Sequence, residues 1–542
     1  MQKRRIVAEG RAWAGGPVPV ASAACRLPLA ACRLPPVPVT VTVTVTVTAM
    51  PSASSSMRPL RRIAIVGAGW AGLAAAVRAA QGGLAVSVFE ASRSGGGRAR
   101  AVPLPLPDGR EVMADNGQHI LIGAYSETLR LMRLVGAEPQ RLLLRLPLAL
   151  AYPDGTGLAL PAARWLPAPL DAAWGIARAR GWPWRARLAL LRRALAWQRG
   201  GFACGPQASV ADLCRGLPGQ LLRDFIEPLC VSALNTAMHE ASGAVFLRVL
   251  RDALFGVRGG SNLLLPRVPL GDLWPQPALR WLQERGARLH MGQRVQGLQA
   301  ENAGWRVHWQ AGDEACSALF DAVILATAAP HAAQLAGEAI TPPAWPHAPR
   351  LQAWRACAAA LRHTAITTVY AQAAPEAIAA AFARPMLALR SGPAAPAQFA
   401  FALDAMRLRG AEGRAQQAAE PSAEPNAEPS AEPNAEPNAE PNATGLLAFV
   451  ISNSAGQERQ ALCAAVAAQA QSQLGLAVNV LRSVSEKRAT FACTPALPRP
   501  AAAIAPGLAA CGDYVQGPYP ATLEGAMRSG WQALDQAQAA FP

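Results

Sequence analysis

The stretch that most restricts the fold is RRIAIVGAGWAGLAAAVRAAQGGLAVSVFEA, residues 61–91. Ile63 to Val66 is a continuous apolar run stopped by Gly67, the pattern of a short buried strand. Gly67, Gly69 and Gly72 form G-x-G-x-x-G, an Ala-rich segment of helical character follows, and a second apolar run, Ala85 to Phe89, ends on Glu90. The first glycine permits a tight turn, the second lets main chain approach a pyrophosphate, and the third lets the helix press against the strand. The helix N-terminus, where Trp70 and Ala71 stand, adds N–H donors and the positive end of a dipole. Glu90 lies 18 residues beyond Gly72, where an acid at a strand end binds a ribose hydroxyl. The order strand, glycine loop, helix, strand, acid therefore predicts an α/β chain built on a Rossmann-like dinucleotide-binding unit.

Composition narrows the rest. At 542 residues the chain is too long for one ordinary core, and 51% hydrophobic residues support a large interior. The formal charge of +16 suits an anionic partner, but no nucleic-acid motif accompanies it, so no nucleic-acid partner is expected. Ten Cys occur without a C-x-x-C pair or a His/Cys cluster at ligand spacing. Reduced structural thiols in a cytoplasmic protein, and no metal, are the expectation.

Two segments read as low-complexity sequence. Residues 1–56 carry CRLP at Cys25 and Cys32 and a run of Val-Thr pairs. We expect a non-native or disordered extension there, with translation starting at Met57 or Met50; a signal peptide is the alternative. Glu420 to Ala443 repeats E-P-[SN]-A, and a proline at every fourth residue prevents a helix. This predicts an extended loop within 405–445.

After Glu90 comes SGGGRAR, with Gly96, Gly97 and Arg98, and near the other end CGDYVQGPYPATLEGAMRSGWQAL, residues 511–534. A planar guanidinium suits bidentate contact with phosphate oxygens. Together these segments resemble the flavin amine oxidase and phytoene desaturase superfamily. The resemblance implies bound FAD, with Arg98 at the pyrophosphate and Asp513, after Gly512, at the ribityl–phosphate portion. It also implies that Thr522 and Leu523 start a helix near the flavin ring and that Val295 lies at the adenine. The implied architecture is a discontinuous FAD-binding domain (57–124, 286–335 and 506–542) with a mixed-sheet and helical substrate domain (125–285 and 336–505).

The substrate side is read from DNGQHILIGAY, residues 115–125, where Asp115, Asn116, Gln118 and His119 run into an apolar patch. With EPLCVSALNT and SNLLLPRVPLGDLW, this stretch resembles the squalene-associated FAD-dependent desaturases, among them the bacterial hydroxysqualene dehydroxylases of hopanoid biosynthesis. That resemblance implies reductive removal of an allylic hydroxyl from a C30 prenyl alcohol to give squalene. Breaking an allylic C–O bond calls for a proton donor, and His is suited to the task near neutral pH. His119 is the candidate donor, with Asp115 orienting or charging it and Gln118 and Asn116 positioning the hydroxyl or the flavin edge. Tyr125, Asn235 and Glu240 are weaker candidates. The alternatives are a carotenoid-type desaturase, an amine oxidase using Tyr514 and Tyr519 as an aromatic cage, and a non-catalytic prenyl-lipid carrier. The electron donor is not legible.

Residues 162–200 hold five Trp (165, 174, 182, 184 and 197) among many Arg and a single acid. Two readings stand: a helix lying in a membrane interface, which would make the protein peripheral on the cytoplasmic face, or a helical pair packed on the core with solvated Arg.

Overall fold

The computed structural model describes residues 61–162, 166–302, 304–407 and 443–539. The expectations for residues 1–56, for the E-P-[SN]-A repeats and for Trp165 lie outside the described residues. The described residues all fall in one compact unit, so the dinucleotide-binding and substrate regions are layers of a single body.

The first layer is a six-stranded sheet. Its strands run in the order Arg288–Met291, Ala85–Glu90, Arg62–Val66, Ala322–Leu325, Leu508–Ala510 and Ala503–Ala505. The first five are parallel and the last is antiparallel. Central strands of such a sheet are covered on both faces, which is why IAIV and AVIL are apolar throughout rather than alternating. The helix Trp70–Gln81 covers one face with small residues, and its Leu73–Val77 stretch is fully buried. The final helix, Leu523–Gln538, packs closely on it: a Cβ on Gly530 would stand 2.5 Å from the Ala71 carbonyl oxygen. Two elements cross the boundaries expected from sequence. Ala503–Ala505 joins this sheet, and the helix Pro275–Gln283 packs against the first helix.

The second layer is a five-stranded antiparallel sheet: Met386–Ala388, Phe399–Ala402, Leu446–Ser452, His363–Gln372 and Asn479–Phe491. Asn235, at the end of the helix Glu227–Leu234, ties the helices of residues 170–256 to this sheet through Thr364 and Thr490. A three-stranded meander, Arg294–Glu301, Gly304–Ala311 and Glu314–Phe320, follows the edge strand of the first sheet. Among the described residues no helix is long and apolar enough to cross a membrane.

Candidate active site

One cavity of about 940 Å³ runs between the two sheets. That is near the upper end for small-molecule sites. One half is polar and lined by main chain; the other is aliphatic and aromatic.

The polar half is assembled around the glycine loop. Gly67 has φ +115°, and a Cβ there would lie 2.8 Å from the Ala326 carbonyl oxygen. A Cβ on Gly72 would lie 2.0 Å from the Gly67 oxygen, so helix and turn meet with no room for a side chain. At Gly69 the position is open instead, the nearest atom being Gly97 Cα at 3.9 Å. This is the space a ligand needs for close approach to main chain. The G-G-R turn is stitched to the same loop: Gly96 N–H donates to the Ala68 carbonyl at 2.9 Å, and Gly69 bridges Gly96. Trp70 is buried and its indole N–H donates to the Ala99 carbonyl, which holds the next residues of that turn. Ala71 follows in the first turn of the helix. Glu90 accepts from the Ala68 and Ser92 N–H groups at 2.8 and 2.9 Å, which fixes its carboxylate beside the loop.

Across the cavity Arg98 donates to Asp513 at 2.5 Å and to the Ala489 carbonyl at 2.6 Å. Burial works against the guanidinium charge, but Asp513 more than compensates and Arg98 stays firmly cationic. Gly512 N–H donates to Ser529 Oγ, which ties the Gly-Asp turn to the final helix. Thr522 caps that helix by accepting from Gly525 N–H, and Leu523 begins it; both line the cavity. Val295 lines it from the meander, beside a bulge.

The stretch from Asp115 to Tyr125 lies where the two halves meet, and the cluster expected from sequence divides there. Asn116, Gln118 and His119 line the cavity, whereas Asp115 points elsewhere. The Asp115 carboxylate accepts from Leu270 N–H at 2.8 Å, and Tyr370 Oη donates to its main-chain oxygen at 2.7 Å. Asp115 therefore does not orient His119. That partner is the Gly117 carbonyl, 2.7 Å from His119 Nδ1. A carbonyl only accepts, so Nδ1 carries the hydrogen and Nε2 is the nitrogen free to exchange a proton. The turn that makes this bond has Gly117 at φ +103°. Burial pushes the His119 pKa below its ordinary value and Arg98 adds to the effect; the Gly117 carbonyl opposes both. Burial drives Asp115 the other way, to about 7, with the Leu270 N–H and Arg407 offsetting part of the effect.

Asn116 Nδ2 donates to the Arg98 carbonyl at 3.0 Å and to Glu486 at 3.2 Å. Gln118 N–H reaches Thr368 Oγ1 at 3.4 Å. Tyr125 is a poor proton donor: burial, then Glu524, raises its pKa. Asn235 lines the cavity but is spent on structure. It donates to Thr364 and Thr490 and accepts from Asn453 N–H. Glu240 pairs with Arg362 outside the cavity. Sequence reading missed Glu486, on a polar strand with no motif. It also missed a cavity-wall cluster in which Asp252 binds Arg248 at 2.6 Å and both meet Tyr519. The apolar half is formed by Ile120, Leu148, Leu229, Val249, Phe399 and Phe401, among others.

The family described as flavin containing amine oxidoreductase matches residues 70–537. The chain belongs to that family. Curated relatives are hydroxysqualene dehydroxylases of Sinorhizobium fredii (27% identical over 288 residues, 50% of this chain and 63% of the relative) and Zymomonas mobilis (30% over 241 residues, 43% and 54%). A third, from Rhodopseudomonas palustris, is 26% identical over 255 residues, 44% of this chain and 54% of the relative. The chain thus spans 54% to 63% of the length of these relatives. Similar solved structures include an oxidoreductase of Methanosarcina mazei (TM-score 0.59, 16% identity, 88% of this chain and 100% of that one). Cyclohexylamine oxidase of Brevibacterium oxydans is another (TM-score 0.53, 15% identity, 89% and 98%).

This flavin enzyme is an FAD-dependent oxidoreductase, and the residues present fit the cofactor. Gly69 leaves main chain open to a phosphate, and Glu90 sits at the loop for a ribose. The hydroxyls of Thr327 and Tyr514 are buried along the cavity without a hydrogen-bond partner among the described residues, as a polar ligand would require.

Proposed function

We propose that this enzyme removes the allylic hydroxyl of a long prenyl alcohol of the hydroxysqualene type, giving the hydrocarbon. The observation that carries the reading is the division of the cavity. An apolar chamber opens directly onto the dinucleotide half, and the Asn116–His119 turn supplies polar groups where they meet. The names of three relatives point the same way. An extended hydrocarbon gains about 25 cal/mol per Å² on entering such a chamber, and it needs polar contact at one carbon–oxygen bond only.

FAD, when bound and reduced, supplies the electron pair that replaces that bond. Gly67, Gly69, Gly72, Glu90 and Arg98 would hold its phosphates and ribose, with Asp513 and the start of the final helix opposite. His119 Nε2 in its protonated form donates to the leaving hydroxyl. The Gly117 carbonyl keeps the other ring hydrogen in place before and after transfer. Gln118 and Asn116 border the same space and position the hydroxyl.

An aromatic cage for an amine is less well supported: the Tyr519 ring already carries the guanidinium groups of Arg248 and Arg528, each 5.2 Å away and paired with Asp252 and Glu524. A carotenoid-type desaturase remains the second reading, favoured by a 49-residue match, 53% identical, to hydroxyneurosporene desaturase of Rhodobacter capsulatus. The two are separated by anaerobic incubations of the flavin-loaded protein, with its flavin reduced for hydroxysqualene and oxidised for a hydroxylated carotenoid. Squalene from the first, and no new double bond in the second, is the expected result; the reverse overturns the proposal.

A further inference from the structure

We propose that the outer face of the helical hairpin spanning residues 170–199 seats this protein on an anionic lipid bilayer. The hairpin consists of the helices Leu170–Ala177 and Trp184–Arg199, joined by a six-residue turn. Eight large apolar side chains are exposed among the described residues, and five of them belong to this hairpin: Leu170, Trp174, Trp184, Leu188 and Leu195. Isolated exposed hydrophobics are ordinary, but a stripe is not. Trp184, Leu188 and Leu195 follow at i, i+4 and i+11, one line along the second helix, with half-buried Leu191 between them. Ala186 and Leu190, on the other side, are buried in the core. This helix is therefore apolar on two faces, and the fold uses only one. Leu170 and Trp174 make the matching i, i+4 pair on the first helix, just before the turn.

Charge identifies the occupant. From residue 178 to 199 there are seven Arg and no acid. Arg187 and Arg193 are spent on carbonyls of the fold. Arg178, Arg180, Arg185, Arg192 and Arg199 are exposed. The Arg178 guanidinium lies 4.8 Å from the Trp174 ring, and Arg185 lies 5.6 Å from that of Trp184. Each exposed indole is thus presented together with a cation. Indoles settle at headgroup depth, leucines go deeper, and guanidinium groups meet lipid phosphate. An acidic protein surface would match the charges but leave Trp184, 67% exposed, and the leucine stripe without apolar cover.

The hairpin also leads to the cavity. Just beyond it, Phe202 packs edge-on against Phe255 at 4.8 Å, and the adjoining residues Asp252, Ala253 and Leu254 form cavity wall. Lipid docking needs only the hairpin side chains. Delivery of a bilayer-dissolved prenyl alcohol through this wall rests on the function proposed above.

The test is flotation of the flavin-loaded full chain with vesicles of phosphatidylcholine alone or of equal parts phosphatidylcholine and phosphatidylglycerol. The protein should float with the mixed vesicles, stay behind with phosphatidylcholine, and be released by salt. Arg185→Gln and Arg192→Gln should each lower the partition coefficient about fivefold. A Trp174→Ser/Trp184→Ser/Leu188→Ser variant should lose binding tenfold or more while keeping its flavin absorbance and circular dichroism. The idea is overturned if that variant floats like the parent. It is equally overturned if the parent ignores mixed vesicles and self-associates through this face, shown by sedimentation that turns monomeric in the variant. Failure of the dehydroxylation assay with intact vesicle binding would remove the substrate reading and leave the docking face standing.

Discussion

Replacing Asp115 by Asn separates a buried structural acid from a catalytic one. Asp115 is 8% exposed, its carboxylate accepts from Leu270 N–H, and burial raises its pKa to about 7. The folded protein therefore keeps this proton up to about pH 7, whereas the unfolded chain releases it near pH 3.9. Between those values the folded state binds more protons, so the group's contribution to stability is fully present below pH 3.9 and lost as pH rises through 7. Three pH units at 1.36 kcal/mol each set an upper bound of about 4 kcal/mol. Asn keeps the oxygen that accepts from Leu270 and carries no charge. In urea unfolding of the flavin-loaded protein, D115N should gain roughly 2–3 kcal/mol on the parent between pH 5 and pH 8. It should also keep its flavin and its turnover, because the carboxylate does not touch His119. Parallel pH curves for the two proteins would refute the buried neutral acid. Lost turnover at full flavin content would restore a catalytic role.

The glycine loop makes two opposite predictions. Gly72→Ala, whose Cβ would lie 2.0 Å from the Gly67 oxygen, should unsettle the loop itself, read as a lower melting temperature of the apoprotein and little copurifying FAD. Gly69→Ala fills open space, so the apoprotein should melt as the parent does while FAD binding, followed by flavin fluorescence, weakens tenfold or more. Arg98→Ala leaves Asp513, 7% exposed, without its cation and should weaken FAD binding at least tenfold, with Arg98→Lys recovering only part because the fork geometry is gone. The rate of dehydroxylation should rise as pH falls through the lowered pKa of His119, since the donor is its protonated form. His119→Gln should be slow, by about 10²–10⁴, and without that pH dependence.

Local sequence reveals the dinucleotide half because its chemistry is written within 40 residues: strand, three glycines, helix, acid, then the G-G-R turn. Asp513 is 415 residues from its partner Arg98, and only a family resemblance joins the two. The Asp115–His119 pair misleads for a physical reason. Spacing of four puts side chains together on a helix, but here a strand ends at Asp115 and the chain turns at Gly117. The carboxylate consequently faces Leu270, and the ring faces the cavity. Glu486 reaches Asn116 only because its strand is paired with His363–Gln372, a register no local pattern shows. The Trp/Arg segment leaves two readings in sequence because its Trp side chains do not share one environment. Trp182 is a core residue at 3% exposure, while Trp174 and Trp184 stand outside.

One single-turnover measurement tests the proposed dehydroxylation most directly. Flavin-loaded protein, fully reduced and free of oxygen, is mixed with hydroxysqualene while flavin absorbance and squalene are followed together. One squalene formed per flavin reoxidised, with the two rates equal and both slowed in His119→Gln, is the predicted result. Flavin that stays reduced while hydroxysqualene remains unchanged would contradict it.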